Sequence, residues 1–235
     1  MLKKSVGIIL AAGSGKRMKR STPKQFLDIN GRPMVYYSLK AFEESPVDSV
    51  VLVLAKEYMD ECKKNVIDKY HFKKVKYIVE GGVERYDSSY MGLLACRDDK
   101  YDIVLIHDSG RPMVTVDVIT QAINAASSHK ACVIAVPTKD TIKIADDKGF
   151  CDITPDRKKI WSVQTPQAFD FKICMSAYEK LMQDDESKLG ITDDAMVVER
   201  MLGVKVKLCM GDYRNIKVTT PEDLDIASVF LNEIL

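Results

Sequence analysis

The sequence predicts an α/β protein on a doubly wound, mostly parallel, Rossmann-like sheet with a protruding β-arm. Three observations carry that expectation. Short β-rich apolar runs recur at residues 6–10, 50–54, 75–79, 103–107 and 132–136. Runs apolar at nearly every position suit strands covered on both faces. Segments of helical character fall between them, at about 34–44, 57–70, 88–97 and 116–128, and this alternation is the pattern of βαβ units. Finally, a turn rich in small residues, Ala11-Ala12-Gly13-Ser14-Gly15, follows the first run directly. Sheets of this class bind ligands there, outside the carboxyl ends of their strands.

Each element follows in order. Residues 6–10 run straight into the glycine turn, so they read as a first strand and not as a signal peptide. Gly81-Gly82 after the third strand and Asp108 after the fourth belong at the same edge. The pattern changes after Pro137. Residues 140–145 alternate, and 149–153 and 160–163 are short and extended, with charged turns and no helix between them. This reads as a β-arm at about 138–163 on a single domain spanning 1–235. Its unpaired edges suit pairing with a second copy, a homodimer. Helical character returns at 171–182 and 193–202, and 205–210 is a further strand. Thr220-Pro221-Glu222-Asp223 then opens a last helix, with Thr as N-cap, Pro at N1 and an acid at N3.

Bulk composition excludes several classes. The 235 residues are 46% apolar and 29% charged, with a net charge of +1. A balance so near zero speaks against nucleic-acid or membrane binding by bulk electrostatics. No apolar stretch approaches the ~18–20 residues of a membrane span. The six cysteines form no C-x-x-C pair and mostly sit among apolar residues, as buried thiols of a cytoplasmic protein would. The three histidines have no ligand spacing, which removes a zinc site.

Three cations, Lys16, Arg17 and Lys24, lie within a dozen residues of the glycine turn. Exposed amides with clustered positive charge suit a nucleoside triphosphate. Two familiar phosphate loops are excluded: no G-x-x-x-x-G-K-[ST] string occurs, and Met18 stands where a dinucleotide fingerprint needs its third glycine. The run from Leu10 to Met18, followed by Pro23-Lys24-Gln25, resembles the nucleotidyltransferase signature. Further motifs appear in order: Gly81 to Ser88, His107 to Pro112, Asp140-Thr141, Arg157, Gln164-Thr165-Pro166-Gln167, Thr192 to Ala195 and Asn215 to Thr219. Together they resemble the 2-C-methyl-D-erythritol 4-phosphate cytidylyltransferase family from Val6 to the C-terminus. The ribitol-5-phosphate cytidylyltransferases are close relatives that share most of these motifs.

The resemblance implies transfer of CMP from CTP to methylerythritol phosphate, with ribitol 5-phosphate as the alternative acceptor. It gives Ala11, Ala12, Gly13, Ser14, Gly15 and Lys16 to the triphosphate cradle, Lys16 being equally readable as solvated surface. Arg17 and Lys24 match residues that stabilise charge on the reacting phosphates. Gly82 and Ser88 match the cytosine-binding segment, or else a plain turn and N-cap. Asp108 matches the ribose and metal–phosphate region, the one candidate ligand for Mg²⁺, or else a loop cap. Arg157 and Lys217 match residues that hold the sugar phosphate, and a neighbouring subunit is the expected source of Arg157. Thr165 and Thr192 match acceptor contacts, Thr192 doubling as an N-cap. Arg111 is expected to orient Asp108 or to touch the acceptor, and His107 to be packed. Val83 and Ser109-Gly110 depart from the family pattern and leave a third reading, a nucleotide-binding module without activity.

Overall fold

Strand β1 (Ser5–Ala11) is buried along its whole length and lies inside the sheet, with a strand paired on each side. The computed structural model describes residues 3–13, 15, 18 and 22–234. After β1 come a small hairpin, β2 (Asp28–Ile29) and β3 (Arg32–Pro33), and then α1 (Met34–Glu44), β4 (Ser49–Leu54), α2 (Met59–Cys62) and β5 (Val75–Glu80). The chain continues through α3 (Arg85–Ala95), β6 (Ile103–Asp108), α4 (Val116–His129) and β7 (Ala131–Pro137). The last third holds β8 (Ile144–Ala145), β9 (Cys151–Ile153), β10 (Trp161–Asp170), α5 (Phe171–Met182), α6 (Asp194–Leu202), β11 (Lys207–Met210) and α7 (Pro221–Ile234).

Among the described residues, seven strands form the main sheet in the order β5-β4-β1-β6-β10-β7-β11. All neighbours pair in parallel except β10, which is antiparallel to both β6 and β7. From β1 the chain builds outward to β4 and β5, then crosses to β6 on the other side. The loops after β1 and β6 therefore diverge and leave a crevice between them, the place where open α/β sheets take ligands.

Burial on both faces explains the unbroken apolar runs. Ile9, Leu52 and Leu105 pack with Val35, Leu39 and Ile119 of α1 and α4. Their neighbours Ile8, Val51 and Val104 point the other way, onto Leu93, Tyr178 and Val197 of α3, α5 and α6. A smaller cluster joins Met34, Tyr37 and Val218 to Ala227 and Leu231 of α7.

The expected α/β sheet stands, with four local differences. The segment from 57 to 70 is not one α-helix: a 3-10 turn leads into α2, which widens into a π-helical stretch over Lys63–Asp68. α3 begins at Arg85, three residues earlier than expected, because Glu84 and Asp87 form a capping box at its start. The arm's inner strands are shorter than expected, two residues in β8 and three in β9, and residues 139–154 are exposed throughout. Residues 161–163, expected to close the arm, are instead the first part of the ten-residue β10, where Trp161, Ser162 and Val163 pair with Pro137, Val136 and Ala135 of the main sheet.

Candidate active site

A cavity of about 370 Å³ opens at the crevice between β1 and β6. Ala11, Ala12 and Gly13 form one wall, Gly82 to Arg85 with Ser88 another, and Asp108 to Gly110 with Lys24 and Lys217 the rest. Close approach of backbones shapes it. A side chain at Gly81 would put its Cβ 2.5 Å from the Ala12 Cβ and 2.9 Å from Ser88 Oγ. Ser88 is not an N-cap, because it lies inside α3, and its Oγ accepts from the Gly82 N–H at 3.1 Å. That bond holds the Gly82 loop against the cavity. Val83 stands on the rim, 96% exposed.

Lys24 follows Pro23 in a 3-10 turn and sends its ammonium into the cavity wall, where it donates to the Val218 carbonyl at 3.2 Å. Gly110 makes room for it: a Cβ there would lie 2.9 Å from Nζ. Gly15 adopts a φ of +60°, and a Cβ on it would sit 3.1 Å from the Lys24 Cβ. Gly15 thus backs the Lys24 stem and does not line the cavity. Ser14, Lys16 and Arg17 lie outside the described residues.

An ion network runs along the far side. Asp108 ends β6 and is 8% exposed. Its Oδ1 accepts from Arg85 Nε at 3.0 Å and its Oδ2 from Lys217 Nζ at 2.6 Å. Burial alone would raise its pKa, but the Arg85 and Lys217 cations outweigh burial and hold the carboxyl well below the usual carboxylate range. Arg85 also donates to Asp194 Oδ2 at 2.8 Å. Asp194 is fully buried, and its Oδ1 accepts from Ser89 Oγ and the Tyr178 hydroxyl at 2.8 and 2.5 Å. Burial disfavours the Arg85 cation, yet the two carboxylates outweigh it and raise its pKa. Asp108 is therefore more than a loop cap.

A second cavity, of about 210 Å³, shares Arg85, Asp108 and Lys217 with the first and is closed by Arg111, Thr165 and Thr192 among others. The antiparallel strand explains how Thr165 arrives there. β10 starts at the edge where the parallel strands end, so its early residues lie beside Asp108. Arg111 does not orient Asp108 by a hydrogen bond. It donates instead to the carbonyls of Asn215 and Val163, at 2.8 and 3.2 Å, and its buried Nε has no partner among the described residues. Burial lowers the Arg111 pKa, with Asp108 only partly offsetting it. Thr192 is not the N-cap of α6. Asp193 holds that place, its carboxylate accepting from the Met196 N–H at 2.9 Å, which leaves Thr192 on the cavity wall.

Arg157 is not brought in. It is exposed on the arm and donates to the Lys139 carbonyl at 3.1 Å. His107 is packed as expected, fully buried at the end of β6, and burial pushes its pKa down to about 3. Arg85 is the site residue that sequence reasoning missed. A signal existed: it is a cation at the first position of α3, where the helix dipole disfavours positive charge. Among the described residues no group of three His, Cys, Asp or Glu side chains could hold a metal. Glu84 and Asp108 are the carboxylates on the larger cavity; Glu84 caps α3 and both Asp108 oxygens accept from cations, so a hard cation there would be carried mainly by phosphate oxygens.

The sequence model of the family described as IspD, 2-C-methyl-D-erythritol 4-phosphate cytidylyltransferase, matches residues 6–233. The chain belongs to that family. A relative of that name from Lachnospira eligens is 47% identical over 228 residues, covering 97% of this chain and 99% of its own. Another, from Caldanaerobacter subterraneus, is 46% identical over 227 residues, 96% of this chain and 98% of its own. Among solved structures, the 4-diphosphocytidyl-2C-methyl-D-erythritol synthase of Anaerococcus prevotii superposes with a TM-score of 0.85 at 35% identity, covering 98% of this chain and 96% of that one. The Francisella tularensis IspD structure gives 0.80 at 27% identity, with 97% and 99% covered. The cytidylyltransferases of this family are CTP-dependent nucleotidyltransferases.

Proposed function

We propose that this chain transfers CMP from CTP to 2-C-methyl-D-erythritol 4-phosphate and releases pyrophosphate. The shared wall carries the reading: Arg85, Asp108 and Lys217 line both cavities, so a nucleotide in the larger meets a polyol phosphate in the smaller. The attacking phosphate oxygen is already an anion, so no general base is required. Catalysis is positioning plus stabilisation of charge. Lys24, with Arg17, neutralises the triphosphate. Ala11, Ala12 and Gly13 cradle it with backbone amides, while Gly82 and Ser88 close the pyrimidine end. Lys217, Arg111, Thr165 and Thr192 hold the acceptor. Mg²⁺ bound at Asp108 would offset triphosphate charge.

Arg157 completes the acceptor site from the arm of a second copy, which makes the enzyme a homodimer. Exposed Ile144, Phe150 and Ile153 on that arm support the contact. Five buried free thiols, Cys62, Cys96, Cys132, Cys174 and Cys209, suit the cytoplasm. No helix among the described residues is long and apolar enough to cross a membrane. No finding favours ribitol 5-phosphate as acceptor, and a cavity that keeps Lys24, Asp108 and Lys217 together speaks against a module without activity.

Pyrophosphate release from CTP with each acceptor supplied separately tests the reading. Turnover is expected with methylerythritol phosphate, and turnover with ribitol 5-phosphate alone would sink it. Lys24→Ala is expected to lower turnover by about 10²–10³-fold, the cost of losing one preorganised charge-stabilising donor. Its effect on urea stability should stay near the ~1 kcal/mol of one part-buried hydrogen bond, that to the Val218 carbonyl. Unchanged turnover removes Lys24 from the mechanism.

A further inference from the structure

The fully buried His107 is not accounted for by the reaction. Its ring lies against Phe42, 5.5 Å between centroids. Its two nitrogens bridge two hydroxyls: Nε2 is 3.2 Å from Ser38 Oγ of α1, and Nδ1 is 2.9 Å from Thr165 Oγ1 of β10. Thr165 Oγ1 also accepts from the Asp108 N–H at 3.1 Å. Both Ser38 and Thr165 are themselves buried.

A threonine hydroxyl has one proton and two lone pairs. The Asp108 amide, which can only donate, occupies one lone pair. Two arrangements remain for the ring. If Thr165 donates to Nδ1, it offers the cavity a single lone pair. If Nδ1–H donates to Thr165, both lone pairs are used and the Thr165 proton is left for the cavity. Thr165 lines the smaller cavity with Lys217 and Arg111, a surface built for an anion whose oxygens accept. Only the second arrangement lets Thr165 add a donor to those of Lys217 and Arg111.

We infer that His107 is a positioning residue, held by Ser38 as the Nδ1–H tautomer, that with the Asp108 amide turns the Thr165 hydroxyl into an obligate donor to the acceptor phosphate. In that tautomer Nε2 is the acceptor, and the Ser38 hydroxyl 3.2 Å away is placed to donate to it. The arrangement links α1, β6 and β10 at the point where the two cavities meet. This inference rests on the acceptor reading of the smaller cavity given above.

Two measurements test it. Long-range ¹H–¹⁵N correlation of the imidazole in the wild-type protein reads the tautomer directly. Protonated Nδ1 is expected, and protonated Nε2 overturns the inference whatever the acceptor turns out to be. The second is a steady-state comparison. His107→Asn keeps an amide donor near the Nδ1 place, whereas His107→Gln keeps one near Nε2. His107→Gln and Thr165→Val are expected to raise the KM for methylerythritol phosphate by about 10-fold or more, the loss of a hydrogen bond to a charged group. The KM for CTP should stay unchanged, and His107→Asn should stay near wild type. In the Thr165→Val background, His107→Gln should add nothing. Equal effects of Asn and Gln, or an unchanged effect of His107→Gln without the Thr165 hydroxyl, reduce His107 to packing. Absence of turnover by the wild type with methylerythritol phosphate defeats the functional reading instead, and the tautomer measurement still stands.

Discussion

At Arg85 one guanidinium joins two carboxylates from distant parts of the chain, Asp108 on β6 and Asp194 on α6. Truncation to alanine leaves Asp194 buried with Ser89 and Tyr178 as its side-chain donors among the described residues. Removing one partner of a buried pair costs about 3–5 kcal/mol, and Arg85→Ala should lose stability of that order in urea unfolding, together with activity. Arg85→Lys, a single point donor, cannot reach both carboxylates in the same fork geometry and should recover only part. Wild-type stability in Arg85→Ala would mean that Asp194 finds other solvation. The same site makes a pH prediction. Burial holds His107 neutral, with its pKa lowered from 6.5 to about 3, so the unfolded chain binds a proton that the folded chain refuses. Stability therefore falls as pH drops below 6.5, by up to about 1.4 kcal/mol per pH unit. Asp108, also depressed, adds to the loss only below its unfolded pKa of about 3.9. Between pH 6 and 4.5 the urea midpoint should thus slope less in His107→Asn than in wild type. Equal slopes would show that the ring accepts a proton in place.

Strands buried on both faces announce themselves as apolar runs, so β1, β4, β6 and β7 were legible in the sequence. β10 was legible only in part: residues 161–163 read as a strand, though as part of the arm, and Gln164-Thr165-Pro166-Gln167 after them breaks the strand pattern. Gln164 and Gln167 are buried there, yet each is satisfied: Gln164 donates to the Asp212 carbonyl, and Gln167 bridges Asp193 and the Ala195 N–H. Buried amides with fixed partners carry no hydrophobic signal. The site was legible in the same uneven way. Lys24, Asp108 and Lys217 are singled out by motifs, whereas Arg85, inside the Gly81-to-Ser88 motif, carries only the weaker signal of a cation at a helix start, and Asp194 of α6 completes its role. The arm raises the remaining question at this scale. A two-stranded ribbon is marginal alone, and β8 with β9 exposes Phe150 at 71%. On the proposal that the arm pairs two copies, Phe150→Ser should halve the mass seen by sedimentation while changing monomer stability by no more than about 0.5 kcal/mol; a wild-type chain already sedimenting as a monomer would overturn that pairing. Mixing Arg157→Ala chains with Lys24→Ala chains should restore activity in mixed dimers, since one of the two sites is then intact. No recovery would place Arg157 outside the shared site.

At the scale of the whole molecule, a net charge of +1 hides a local concentration of cations, Lys24, Arg85, Arg111 and Lys217, around two adjoining cavities. In the unliganded protein Asp108 neutralises part of that charge through its pairs with Arg85 and Lys217. A triphosphate entering the larger cavity brings the negative charge that the remaining cations lack. It binds the folded chain alone, because the cradle is assembled from β1, the segment after β5, the loop after β6 and the Lys217 segment. At a hundred times its dissociation constant such a ligand adds about 2.7 kcal/mol of stability. For a chain of this size that corresponds to a rise in melting temperature of roughly 5–10 °C. CTP with Mg²⁺ should produce that rise, and, on the proposal that Gly82 and Ser88 close a pyrimidine-sized end, purine triphosphates should produce much less at equal concentration. Chelation of the divalent cation should shrink the CTP effect, because bare triphosphate charge then faces Asp108 without an intervening cation. An equal rise with GTP would show that the larger cavity reads phosphate alone, and that base selection lies elsewhere than in the loop that Ser88 holds in place.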